Sequence, residues 1–189
     1  MALIRDLVLQ LAVWLAAAAA TTVPTDTVAQ SSPNPEYQLK AVFLFNFAQF
    51  VEWPPSAFPN SQTPLVIGIL GEDPFGPYLD ETVRGEAVQA HPLAVQRSRR
   101  VEEIRNCHIL FVGRQEQERL GEILDTLKGR PALTVSDADG FARRGGMIRF
   151  VTDRNRIRLR INLEAARDAQ LTLSSKLLRP AQIVRTGED

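Results

Sequence analysis

Residues 7–20 form an apolar run broken only by Gln10, with Arg5 and Asp6 before it and a small-residue stretch, 21–29, after it. At 14 residues the run is short of the roughly 20 needed to cross a bilayer. A short charged start, an apolar centre and a small-residue exit is the order of a secretory signal peptide. It is expected over residues 1–29, cut after Ala29 or, as second choice, after Ala20. The chain left by that cut is expected free in an extracytoplasmic space and not membrane-spanning.

Beyond it the pattern changes period several times. Residues 36–53 read as a helix stopped by Pro54-Pro55. Its apolar positions cover every side, and Lys40, Asn46, Gln49 and Glu52 are scattered among them. A helix apolar all round is buried on all sides or covered by a partner. Two readings stand: burial in its own core, or a shared subunit interface that would involve Phe43, Phe47 and Phe50.

Residues 64–70 form a continuous apolar run, as a central strand covered on both faces would. Asp73-Pro74 predicts a capped helix running to 83. A strand over 87–95 carries Pro92, which suits an edge. A helical turn at 101–106, a second central strand at 107–112 and an amphipathic helix at 115–128 follow, with Gly129 ending the helix. Residues 131–135 are a third parallel strand. Residues 147–152 and 156–162 predict a hairpin about Asp153-Arg154-Asn155. Short helices are expected at 163–168 and 174–181. The fold class is α/β, a mainly parallel sheet flanked by helices with a C-terminal β-hairpin. One domain, 36–181, is expected, followed by a frayed tail, 182–189.

Composition narrows the chemistry. The chain has 189 residues, with 22 Lys and Arg against 22 Asp and Glu, so no field of one sign argues for nucleic acid. One Cys excludes an intrachain disulfide and a multi-thiolate metal site, and two His leave little for a metal centre. Cys107 and His108 are strand neighbours and point to opposite faces, so they cannot form a thiolate–imidazole pair. Cys107 reads as a small buried hydrophobe or as a thiol pairing between chains. His91 reads as a surface residue. No G-x-S-x-G or H-E-x-x-H occurs. No catalytic residue, metal or cofactor is assigned.

Gly68, Gly71 and Gly76 lack the G-x-G-x-x-G spacing. They read as turn glycines, or as the rim of a ligand crevice at the carboxyl ends of the strands, where open α/β sheets bind ligands. Gly71, Asp73, Ser136 and Asp137 are its candidates. The sharpest local pattern is Arg156, Arg158 and Arg160, alternating with Ile157, Leu159 and Ile161. Period-two alternation puts the arginines on one face of a strand, over about 13 Å. They read either as a solvated face or as a ladder for an anion or an acidic partner, to which Arg143 and Arg144 add.

Taken together, several motifs resemble the YfiR family of periplasmic proteins. They are Glu36-Tyr37-Gln38-Leu39-Lys40-Ala41, Phe43-Leu44-Phe45-Asn46-Phe47, Glu52-Trp53-Pro54 and Gly71-Glu72-Asp73-Pro74-Phe75-Gly76, then Cys107-His108-Ile109-Leu110-Phe111 and Leu133-Thr134-Val135-Ser136-Asp137. Gly140-Phe141-Ala142, Gly145-Gly146-Met147-Ile148, Ile161-Asn162 and Leu173-Ser174-Ser175-Lys176-Leu177-Leu178 complete the set. The resemblance runs in order from 36 to 178. It implies a small periplasmic α/β protein, often dimeric, whose best-understood member type represses a membrane-anchored diguanylate cyclase by binding its periplasmic part, limiting cyclic-di-GMP and biofilm. That member type carries several cysteines, so control by an internal disulfide does not transfer. The family commonly has an acidic residue where Arg160 stands.

The expectation is a non-enzymatic periplasmic regulator, a homodimer, bound to the periplasmic part of a membrane-anchored diguanylate cyclase or of a sensor kinase. The alternative is a periplasmic small-molecule-binding or sensing module using the crevice. A thiol or hydrolytic enzyme using Cys107 or an Asp pair is the least supported reading.

Overall fold

The computed structural model describes residues 34–154 and 156–187. The expected signal segment lies outside the described residues. The first helix, α1 (Pro35–Phe50), is capped by Asn34, whose side chain accepts from the Glu36 N–H, and has Pro35 in its first turn. It ends three residues earlier than its apolar pattern suggests. Val51–Glu52 turn extended as β1 and pair antiparallel with β9 (Thr172–Leu173). Trp53, which precedes Pro54, is also barred from the helical region by the proline ring.

The main sheet is built from β2 (Leu65–Leu70), β3 (Ala87–Val88), β4 (His91–Ser98), β5 (Ile109–Val112), β6 (Leu133–Ser136), β7 (Ile148–Asp153), β8 (Arg156–Asn162) and β10 (Gln182–Val184). Their order is β10-β8-β7-β6-β5-β2-β4-β3. Strands β4, β2, β5, β6 and β7 run parallel; β3 and β8 are antiparallel to their sequence neighbours. The remaining helices are α2 (Pro77–Val83), α3 (Val101–Ile104), α4 (Leu120–Leu127), α5 (Leu163–Asp168) and α6 (Ser175–Leu178). The α/β class with a mainly parallel sheet and a C-terminal strand pair is what the pattern predicts.

Several boundaries differ. The expected strand over 87–95 is a hairpin turning at Gln89 and Ala90, whose φ values of 51° and 72° are left-handed. No glycine marks that turn, so its signal is missing from the sequence. The second helix starts at Pro77 rather than Pro74. Asp73 caps a turn instead, its Oδ1 accepting from the Phe75 and Gly76 N–H groups. Residues 114–119 form a tight 3-10 turn before α4. The tail beyond 181 is not wholly frayed, because Gln182–Val184 pair in parallel with Arg160–Asn162.

The period of two in each central strand divides its side chains between two cores. Ile67, Ile69, Ile109, Phe111, Leu133, Val135, Ile148 and Phe150 face α1 and α2. Leu70, Leu110 and Val112 face α3 and α4 with Phe141. Gly146 lets that second core close: a Cβ there would lie 2.2 Å from the Phe141 ring.

Candidate functional site

The parallel strands end on one edge. Strand β2 lies between β4 and β5, so successive connections leave it in opposite directions, and a crevice opens at that switch point. The loops after β2, β5 and β6 form its rim. Gly71, at φ 91°, turns the chain out of β2, and its N–H donates to Ser98 O at 2.9 Å. Asp73 Oδ2 accepts from Arg97 Nε at 2.6 Å, and Arg97 also pairs with Asp80 at 2.5 Å. Asp80, its bond to Arg97 outweighing burial, is held below the ordinary carboxylate range.

Beneath the rim lies a buried ion cluster. Lys40 is wholly buried, with its Nζ 2.5 Å from Asp137 Oδ2 and 2.6 Å from Glu36 Oε1. The Tyr37 hydroxyl donates to Asp137 Oδ2 at 2.8 Å, and the Lys40 ammonium sits 4.3 Å from the Tyr37 ring centre. Arg114 Nε lies 3.0 Å from Asp137 Oδ1. Burial alone would raise the Asp137 carboxyl, but the Lys40 bond and charge, with Arg114 and Tyr37, outweigh it and hold the group below its ordinary value. Burial and the Asp137 charge push the Tyr37 phenol up. A buried ion pair offsets its lost hydration only with close geometry and further partners, which Tyr37, Glu36 and Arg114 supply here.

Of the four crevice candidates, Asp137 and Asp73 line a cleft of about 100 Å3, and Gly71 turns the chain beside it. Ser136 does not reach it. Its buried hydroxyl donates to Val112 O at 2.7 Å and accepts from the Ala138 N–H, so it clips β6 to the loop.

The docking candidates separate. On β7 and β8 the residues facing α1 are Ile148, Phe150, Leu159 and Ile161. The opposite face carries Arg149, Arg156, Arg158 and Arg160, together with Val151 and Asp153, whose Oδ2 lies 3.5 Å from Arg158. Arg156 and Arg158 are exposed and Arg160 is half-buried, directly across from Arg149, which pairs with Asp139. Arg158, Arg160, Arg179 and Gln182 line a groove of about 400 Å3 there. On α1, Phe47 is fully buried, with its ring 5.8 Å from and nearly parallel to that of Phe150. It is core, not docking surface. Phe43 and Phe50 are half-buried and share an outer stripe with Leu39, which is 47% exposed. The apolar stripe and the arginines therefore lie on opposite sides of the sheet.

Both histidines hold structure. The Phe58 ring stacks between His91 and His108, at 3.8 and 4.4 Å between centres. His108 Nδ1 accepts from the Val66 N–H at 3.1 Å, and Nε2 lies 3.1 Å from Ala57 O, which assigns the proton to Nε2. Burial lowers the His108 pKa. Cys107 is buried, and burial pushes its thiol up to about 12. Among the described residues, no group of three His, Cys, Asp or Glu is placed to hold a metal. No described helix is long and apolar enough to cross a membrane.

Lys40, Tyr37 and Arg114 were not singled out by the pattern. Lys40 stands in a mostly apolar stretch, which signals a buried charge needing a partner; the partner it takes lies 97 positions away.

A family model described as YfiR/HmsC-like matches residues 37–182, nearly the span over which the motifs resemble that family. No curated protein matches the chain significantly.

Proposed function

We propose that this chain, which belongs to the YfiR/HmsC-like family, is a non-enzymatic periplasmic regulator that binds the periplasmic part of a membrane signalling protein and represses a diguanylate cyclase. The observation that carries the reading is the family match over 37–182. The division of the surface supports it and suits the two candidate docking faces to different occupants.

The arginine face presents Arg156 and Arg158 to solvent, beside the groove that holds Arg160 and Arg179. Asp153 lies 3.5 Å from Arg158, but arginines outnumber acids on this face, which suits an acidic partner segment through charge-assisted bonds. The α1 stripe of Leu39, Phe43 and Phe50, with Asn46 among them, is mainly apolar, which suits the two-fold seam of a homodimer. Each dimer then offers two arginine faces. Binding one state of the receptor more tightly than the other shifts its population; a 100-fold preference corresponds to about 2.7 kcal/mol.

Deleting the gene tests the reading. Cyclic-di-GMP is expected to rise, and crosslinking in the periplasm to capture a cyclase with a periplasmic domain. Unchanged cyclic-di-GMP with no membrane protein captured contradicts it. Capture of a sensor kinase keeps the docking mechanism and replaces the output.

A further inference from the structure

A cavity of about 520 Å3 lies at the other end of the sheet from the crevice, where β2, β5 and β6 begin. The parallel pairing brings those three starts side by side. Val66 comes from β2, Asn106 and His108 from the turn before β5, and Arg130 and Ala132 from the turn before β6. The loop over 56–64 closes the remaining side, and His108 holds it. Its Nε2 donates to Ala57 O at 3.1 Å, and its ring stacks on Phe58. The walls are mostly apolar, from Pro59, Pro64, Val66, Pro131 and Ala132, and the charged groups in them are Arg105 and Arg130. Arg130 donates to Asn106 Oδ1 at 3.2 Å. Among the described residues, neither guanidinium has an ion-pair partner, and no carboxylate stands in the walls.

We propose that this cavity binds a small organic carboxylate with an apolar body, its carboxylate held by Arg105 and Arg130. The chemistry of the walls selects the class. Guanidinium N–H groups only donate, and two of them with no acid alongside call for a charged acceptor. The bond that Asn106 Oδ1 takes from Arg130 leaves the Asn106 amide NH2 as a further donor to the same carboxylate. A cation is repelled, and a zwitterion brings its ammonium against the arginines. The proline rings, Val66 and Ala132 offer the ligand's carbons a surface away from water. A small inorganic anion would leave that surface unused. At about 30 Å3 per water-sized group, the cavity has room for roughly 17 non-hydrogen atoms. Its lining shares no residue with the crevice, the arginine groove or the α1 stripe, so it is tested apart from the docking surfaces.

The test is an NMR titration of the full chain with hexanoate, 1-hexanol, hexylammonium and acetate, following backbone amides. Hexanoate is expected to give saturable shifts at Ala57, Thr63, Val66, Asn106 and Ala132. Hexanol, which has the body without the charge, is expected to bind at least about tenfold more weakly, the loss of one hydrogen bond to a charged group. Acetate, which has the charge without the body, and hexylammonium are expected not to saturate over the same range. Arg105→Gln, at an exposed side chain, and Arg130→Gln, at a half-buried one, are each expected to weaken hexanoate about tenfold and to leave the hexanol response unchanged, which also shows the cavity still formed. No saturable shift with any probe overturns the proposal. So does hexanol or hexylammonium binding as tightly as hexanoate, acetate binding as tightly as hexanoate, or a hexanoate response that neither substitution weakens.

Discussion

Lys40 and Asp137, 97 positions apart, meet at 2.5 Å inside the protein and tie the first helix to the end of β6. The contact fixes α1 over the strand ends and builds the floor of the crevice. Lys40→Met removes one partner of a buried pair and leaves Asp137 and Glu36 without their nearest cation. The expected loss is about 3–5 kcal/mol, read as a lower urea midpoint. The double variant Lys40→Met/Asp137→Asn is expected to recover part of it, because the uncompensated charge is gone.

Acid should weaken the fold in two stages. The folded pKa of His108 lies below its unfolded value of 6.5, chiefly through burial. The unfolded chain therefore binds the proton first, and stability falls as pH drops below 6.5 toward the lower folded value. Asp137 and Glu36 are held below 3.8 and 4.5, so their contribution is complete above those values and is lost as pH falls through their folded pKa. Urea denaturation at a series of pH values checks both. His108→Gln is expected to flatten the first stage and leave the second.

Two positions on the same helix should separate stability from assembly. Phe47→Ala empties a fully buried site against Phe150 and is expected to cost about 3–5 kcal/mol. Leu39→Glu changes an exposed position and is expected to alter stability by no more than about 0.5 kcal/mol, while light scattering shows the shift from dimer to monomer.

How much of this was legible depended on the range of the contact. The uninterrupted apolar strands, the paired prolines after α1 and the arginine alternation of β8 are local signals, and each placed its element. The all-round apolar pattern of α1 predicted burial but not the face: Phe47 and Phe43 differ by one turn and both rings lie 5.8 Å from that of Phe150, yet Phe47 is fully buried and Phe43 half-buried. Ser136 reads as a crevice residue because it precedes Asp137; the pleat turns it inward, where its hydroxyl donates a hydrogen bond to Val112 O. The Lys40–Asp137 pair and the separation of the arginine face from the apolar stripe arise from sheet order, which no short-range pattern encodes.

The thiol should be inert while the protein is folded. Cys107 packs against Gly68, where an added Cβ would lie 3.1 Å from its Sγ, and its pKa is pushed up to about 12. A low thiolate fraction and no access both slow alkylation. Maleimide labelling at neutral pH is expected only after denaturant is added. Rapid labelling of the native protein contradicts the buried placement.

The central claim is that the arginine face docks an acidic segment of a membrane signalling protein. Its most direct test is cyclic-di-GMP in cells carrying Arg156→Glu/Arg158→Glu in place of the original gene, with the oligomeric state verified unchanged. Both side chains are exposed, so the fold is expected to persist. The account predicts cyclic-di-GMP raised to the level of the gene deletion. A level as low as that with the unaltered protein contradicts it.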